Sequence, residues 1–186
     1  GLGNPGEKYA KTRHNLGFMA LEALLKKLTP AGTSWEKVPD VKVEIAKVGQ
    51  LILIKPQTFM NNCGWLIAKL FNNLAIKQLS NLWVVHDDLD LPLGKIKIRT
   101  GGGTAGHHGL ESIVEHLGAT DFVRFRLGIG KSRGHDKWQK VNVKRKEIED
   151  YVLSEFLPQE RDEARIMVQK IIEAIIANKK PQTLFP

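Results

Sequence analysis

The 186-residue sequence has little of what marks secreted, membrane-spanning or disulfide-stapled proteins. It holds a single cysteine, Cys63, which excludes an internal disulfide framework and a cysteine-rich zinc site; Cys63 is expected to pack as a small apolar residue. Long apolar runs are missing. A run such as LILI at 51–54 falls far short of the ~20 residues that a membrane-spanning helix needs. Residues 1–15 are polar and glycine-rich, unlike a signal peptide, so a reducing cytoplasm or organelle interior fits best. Internal repeats, low-complexity tracts and linkers are lacking too. Acidic side chains are outnumbered 28 to 20, giving a net charge of +8, which favours a polyanionic partner without identifying one. The 42% hydrophobic and 26% charged content is ordinary for a globular chain of one domain. The chain opens on Gly1, directly in a glycine loop. A strand is expected before such a loop, so the N-terminal strand is read as truncated.

Residues 1–15 read as a loop punctuated by Gly1, Gly3, Pro5 and Gly6. Leu21, Leu24, Leu25 and Leu28 recur at helical spacing, and Pro30 is placed to end that helix. Val41, Val43 and Ile45 alternate with Lys42 and Glu44, which predicts a half-buried strand. Gly49-Gln50 then turns the chain into residues 51–54, predicted as a strand buried on both faces and as the second arm of a hairpin. Asn61 is placed to cap a helix carrying Trp65, Ala68 and Phe71. Residues 82–85 predict a short apolar strand that runs into His86-Asp87-Asp88. Residues 95–99 alternate again. A second glycine loop, GGGTAGHHG at 101–109, feeds a helix over about 110–117, and residues 125–129 predict another strand. Residues 130–146 are basic and irregular. Pro158 sits at the start of a last helix with Ala164, Met167, Val168, Ile171, Ile172 and Ile175 along one face. Strands interleaved with helices predict an α/β fold: a single domain over 1–186, built on a twisted mixed β-sheet with helices packed on both faces.

Several familiar motifs fail on inspection. Both glycine loops match G-x-G-x-x-G, but Pro5 removes a backbone N–H that a pyrophosphate would use. Neither loop is followed at the right distance by an acidic residue ending a second strand. Gly130-Lys131-Ser132-Arg133-Gly134 matches the nucleophile elbow, which needs a helix directly after the serine; Gly134, His135 and a run of lysines follow instead. The adjacent GKS lacks the first glycine of a phosphate loop, since Phe125 stands there. His86, Asp87, Asp88, His107 and His108 have no common zinc spacing.

Where the polar groups fall is more informative. Asn4, His14, Asn61, His86-Asp87 and His107-His108 are expected on loops at element ends, which in an α/β domain can converge on one crevice. A neutral imidazole takes a proton from water near pH 7, and a carboxylate on its other nitrogen fixes the tautomer and stabilises the imidazolium. Asparagine amides can hold a carbonyl or donate to an oxyanion. By residue type alone, however, His14 is one of six histidines.

These residues lie in stretches that resemble the bacterial-type peptidyl-tRNA hydrolases: GLGNPGEKYAKTRHNLGF at 1–18, KPQTFMNNCG at 55–64, VVHDDLDLPLGKIKIR at 84–99, GGGTAGHHGL at 101–110 and FRLGIG at 125–130. They occur in the family's order. The resemblance implies hydrolysis of the ester between peptide and tRNA, recycling tRNA from stalled translation. It implies His14 as the base that activates water, Asp87 as its support and Asn61 on the oxyanion. Asn4, Tyr9, Phe59, Met60 and His108 would contact substrate, and Arg99 and Arg126 would receive tRNA phosphate. No metal and no cofactor is implied. The implied partner is peptidyl-tRNA, met at its acceptor stem and 3′ end by a cytoplasmic monomer without membrane contact.

One departure stands out. The family usually has asparagine after the histidine of the third loop, where this chain has His108. Residues 130–150 also look longer than the family pattern and are expected to form a basic lid or an extra RNA contact. Lys95, Lys97 and Arg99 alternate along a strand and share a face, Arg124 and Arg126 repeat the spacing, and basic residues outnumber acidic ones from Arg124 to Lys146; this strip is read as phosphate-binding, with a solvated charged face the equal alternative for 137–146. The competing reading is a non-catalytic RNA-binding relative, like the chloroplast splicing factors that resemble this family. Retention of Asn4, His14, Asn61 and Asp87 favours the enzyme.

Overall fold

The computed structural model describes residues 1–29, 32–38, 41–73, 78–130 and 145–177. Strands β1 (Glu36–Val38), β2 (Val43–Val48) and β3 (Leu51–Pro56) form an antiparallel sheet in that order. A second sheet has the order β4 (Trp83–Pro92), β6 (Val123–Gly130), β5 (Ile96–Thr100). Its β4 and β6 are parallel and its β5 and β6 antiparallel, so the expected mixed sheet is present as one of two three-stranded sheets. The backbone of residues 1–2 bridges them: Gly1 N donates to Ile54 O at 3.0 Å and Leu2 N to Val85 O at 2.9 Å.

Among the described residues, five α-helices surround this framework: α1 (Leu16–Leu28), α2 (Cys63–Asn73), α3 (His108–Leu117), α4 (Arg145–Val152) and α5 (Pro158–Ala177). The two faces of the second sheet carry separate cores, as a period of two demands. Val85, Phe125, Leu127 and Ile129 meet Leu16, Ala20 and Leu24 of α1 and Met167, Ile171 and Ile175 of α5. Val84, next to Val85, belongs instead with Leu66 and Leu70 of α2 and Leu110 and Ile113 of α3. Cys63 is buried in this second core, as expected of a small apolar residue. All six apolar positions expected on the last helix are buried.

Gly17 lets α1 lie directly on the sheet. A Cβ there would come within 2.4 Å of Val85 O and 2.5 Å of the Leu2 backbone, which would push the helix off β4 and displace the turn before it.

The structure corrects several local expectations. The hairpin at Gly49-Gln50 forms, with Val48 opposite Leu51 and Gly49 at φ +58°, but its second arm is not buried on both faces, since Ile52 is 39% exposed. Leu53 packs in one core and Ile54, on the same side as Ile52, is half-buried against the other, so only the start of the arm is open. Strand β2 starts at Val43, because Lys42 adopts φ +46° and leaves Val41 in the turn before it. Asn61 does not cap α2. It sits within a 3₁₀ turn, Met60–Asn62, that precedes the helix, and α2 buries Cys63, Leu66, Ile67 and Leu70 while Trp65 is 51% exposed. The expected stop at Pro30 and most of the 130–146 basic stretch, as well as the segment 131–144 of the expected lid, lie outside the described residues.

Candidate active site

Strand β4 does not end at Val85 but continues through His86, Asp87 and Asp88, all buried. His86 and Asp87 are thus strand residues rather than loop residues, held by parallel pairing to β6 through Asp88 opposite Gly128. A buried polar run survives in a strand only when each group finds a partner. Asp88 takes Arg126, whose Nε donates to its Oδ2 at 2.6 Å. His86 donates Nδ1–H to the Asp87 carbonyl at 2.7 Å. Burial pushes the His86 pKa down to about 3, so its ring is neutral.

Asp87 is the hub. Its carboxylate accepts from His14 Nδ1, 3.0 Å from both oxygens, and from His107 Nε2 at 3.1 Å. Burial by itself would raise the Asp87 pKa, but the charges and hydrogen bonds of the two imidazoles hold it well below the usual carboxylate range. His14, 9% exposed, is the mirror case. Burial disfavours its imidazolium, yet the charge and hydrogen bond of Asp87 outweigh that and raise its pKa above the ordinary value. Since Nδ1 faces the carboxylate, the lone pair of His14 is on Nε2.

His107 is a component that sequence reading placed in the cleft without a role. It is the N-cap of α3, and its Nδ1 accepts from Gly109 N at 3.1 Å and Leu110 N at 3.4 Å. Its proton therefore sits on Nε2, facing Asp87. The donor atoms of His14, Asp87 and His107 lie within 4.8 Å of one another, a spacing that a cation could bridge. The cap argues for shared protons instead: the His107 nitrogen that faces Asp87 carries hydrogen and has no lone pair for a metal.

The first glycine loop is fixed by Asn15, which directly follows His14. Asn15 Oδ1 accepts from Asn4 N at 2.8 Å and its Nδ2 donates to Asn4 O at 2.9 Å. Asn4 in turn accepts from Met60 N through Oδ1 at 2.9 Å, so its Nδ2 is the donor end left over among the described residues. This one asparagine ties the 1–6 loop, the His14 turn and the 60–62 turn together. Tyr9 and Phe59 meet edge-to-face at 6.3 Å, with Phe59 56% exposed on the rim. Asn61 is exposed beside Met60 and does not line the pocket at His14.

That pocket is lined by His14, Asp87, Asp88, His107 and His108, by Thr104, Ala105 and Gly106 of the second glycine loop, and by Ile148, Glu149 and Val152 of α4. His108, the first residue of α3, is engaged by Glu111 at 3.0 Å and Arg145 at 3.2 Å. Helix α4 was not legible in the sequence, where residues up to 146 read as irregular.

The expected phosphate strip divides. Lys95, Lys97 and Arg99 are exposed, and Lys97 and Arg99 stand opposite Arg126 and Arg124 in the sheet. Arg124 is only 2% exposed and donates to Gly103 O at 2.6 Å and Gly102 O at 2.8 Å, so it holds the second glycine loop rather than facing a phosphate. Arg126 is neutralised by Asp88. Sequence spacing assigns a shared face; it does not say which side of that face is covered.

The chain matches the family model described as peptidyl-tRNA hydrolase over residues 1–183. It is 38% identical over 179 residues to the peptidyl-tRNA hydrolase of Thermodesulfovibrio yellowstonii, covering 95% of this chain and 88% of that one. To the peptidyl-tRNA hydrolase of Aquifex aeolicus it is 39% identical over 180 residues, 95% of this chain and 86% of the other. Its fold is similar to the solved structure of peptidyl-tRNA hydrolase from Acinetobacter baumannii, with a TM-score of 0.80 at 29% identity over 99% of this chain and 90% of that chain. The family match and both relatives span nearly the whole length, and the chain belongs to the peptidyl-tRNA hydrolase family.

Proposed function

We propose that His14 is the general base with which this enzyme activates water. Family membership makes the chain a hydrolase of peptidyl-tRNA, cleaving the ester that joins the peptide's C-terminal carbonyl to the tRNA. In the proposed reaction His14 Nε2 takes a proton from water as the hydroxide oxygen attacks that carbonyl. Asp87 stabilises the imidazolium that forms. The proton then passes to the departing ribose oxygen, giving a free carboxyl group and the tRNA hydroxyl. A well-placed base of this kind contributes roughly 10²–10⁴-fold in rate.

The observation that carries this reading is the double hydrogen bond onto Asp87, which fixes His14 with its proton on Nδ1 and its lone pair on Nε2. Asn4 offers Nδ2 to the peptide side of the substrate. Tyr9, Phe59 and Met60 form the adjoining wall. Asn61, exposed beside Met60 and outside the pocket lining, would have to turn toward His14 to donate to the oxyanion together with backbone N–H groups; losing one such donor costs about 10²–10³-fold. Lys97 and Arg99 meet phosphates of the acceptor stem, and the enzyme works as a monomer in the cytoplasm. No helix among the described residues is long and apolar enough to cross a membrane.

The test is hydrolysis of an N-blocked aminoacyl-tRNA by wild type and His14→Ala. A fall of at least 10²-fold in kcat is expected for the variant. No turnover by folded wild type removes the enzyme reading, and equal turnover by the two removes His14 as base.

A further inference from the structure

Helix α4 forms one wall of the pocket and is held differently at its two ends. Its C-terminal end is tied into the body. The Tyr151 hydroxyl donates to Ile129 O at 2.5 Å, and Arg13 Nη1 donates to Ser154 Oγ and Glu155 O at 2.6 Å just beyond the helix. The N-terminal end is joined to α3 through Arg145, whose Nη2 donates to His108 Nε2 at 3.2 Å. That bond needs a lone pair on Nε2, so the His108 proton lies on Nδ1 and is donated to Glu111 Oε2 at 3.0 Å. His108 is thus a relay between an acid on its own helix and a base on the next. Arg145 is also within 3.4 Å of Glu149, one turn further along α4. Between the two attachments, Ile148, Glu149 and Val152 face His14 and Asp87 across the pocket.

We propose that His108 is a positioning residue that latches the N-terminal end of α4 over the catalytic pocket through Arg145, and so sets how firmly the peptide part of the substrate is retained. The inference rests on the assignment of the His14 pocket as the hydrolytic site. The two nitrogens of an imidazole point in diverging directions, so one ring serves Glu111 and Arg145 at once. The catalytic set does not pass through His108, because His107 holds Asp87 from its own cap position. Releasing the latch therefore loosens the wall and leaves the proton transfer in place. Arg145 is largely solvent-exposed and His108 is half-buried, which keeps the latch weak enough to open for a substrate.

The experiment is a double-mutant cycle of His108→Ala and Arg145→Ala on an N-blocked aminoacyl-tRNA, with amide hydrogen exchange of residues 145–152 in parallel. Each single variant is expected to raise KM about threefold, the size one exposed hydrogen-bonded pair supports, with kcat within twofold of wild type. The double variant should match the singles, since all three lack the same bond. The α4 amides should exchange faster in every variant of the cycle. His108→Gln, whose amide can accept from Arg145 and donate to Glu111, should recover most of the KM and the α4 protection that His108→Ala loses. Additive losses in the double variant overturn the latch, as does unchanged α4 exchange. A KM rise in His108→Ala without one in Arg145→Ala also overturns it, by making His108 a direct substrate contact. Failure of wild type to turn over would strike the hydrolytic assignment, while the exchange measurement still decides the latch.

Discussion

Replacing Asp87 with asparagine tests the hydrogen-bond logic of the site at its hub. The carboxylate accepts from two imidazoles at once. In asparagine one of the two oxygens becomes a donating NH₂; His107 reaches only Oδ1, whereas His14 Nδ1 lies 3.0 Å from both positions, so the NH₂ meets the proton on His14. His107 cannot adapt, because capping α3 occupies its Nδ1 and keeps its proton on Nε2. The oxygen therefore goes to His107 and the NH₂ turns toward His14 Nδ1. His14 must then accept at Nδ1, which moves its own proton to Nε2 and removes the lone pair that takes a proton from water. The expected loss in kcat is roughly 10³–10⁴-fold, the scale of a wrong-tautomer imidazole, with little change in KM. Initial rates of tRNA release from an N-blocked aminoacyl-tRNA measure it, and ¹⁵N shifts of the His14 ring report the tautomer. The pH profile gives a second reading. In wild type the active form is neutral His14, and its pKa lies above the ordinary ~6.5, so kcat/KM should fall as pH drops through a point above that value. Without the Asp87 charge only burial acts, and the limb should move below it. A folded Asp87→Asn enzyme within tenfold of wild type, with Nδ1 of His14 still protonated, would refute this reasoning.

Two further outcomes follow from the same geometry. Folded His86 titrates near 3 while its unfolded counterpart titrates near ~6.5, so lowering the pH below about 6.5 should cost up to ~1.4 kcal/mol of stability per pH unit. His14 acts oppositely and in another window: its raised pKa adds stability as pH falls toward 6.5 from above. Urea unfolding of His86→Leu between pH 6.5 and 5 should show a flatter slope than wild type, and parallel slopes would disprove the assignment. For RNA binding, Arg99→Ala should lower the slope of log affinity against log salt by about 1, the loss of one phosphate contact, as measured by tRNA titration. Arg126→Ala should change that slope less, because Asp88 already neutralises it; equal effects of the two would count against the division of the strip.

Much of this architecture could be read from residue pattern. The last helix shows its buried face through Ala164, Met167, Ile171 and their neighbours because helical periodicity over 20 residues is a strong signal. The hairpin at Gly49 follows from two strand patterns around a glycine turn. The continuation of β4 into His86, Asp87 and Asp88 could not be read this way. Polar residues normally end a buried strand; here His14 and His107 arrive from elsewhere to pair with Asp87 and Arg126 with Asp88, while His86 bonds the neighbouring Asp87 carbonyl. The same holds for Arg124, which spacing places on a charged surface and tertiary structure places under a glycine loop. Strand β1 has three residues, too few for any periodicity to register. His14 and Asp87 stand out through family motifs; Asn15, which holds Asn4, and His107, which holds Asp87, lie in the same motifs, but their tasks depend on contacts that no local pattern encodes.

Arg13 directly precedes His14 and is bound by residues that lie 141 to 147 positions later in the chain. Its guanidinium meets the Glu160 carboxylate at 2.5 Å and stacks near Tyr151 and Phe156. The turn that aims His14 is therefore completed only when the C-terminal helices are in place. While it is being synthesised, every copy of this enzyme is itself a peptide esterified to tRNA, an instance of its own substrate. In such a copy the turn before His14 cannot take its final form until residues 154–160 have been made and folded against it.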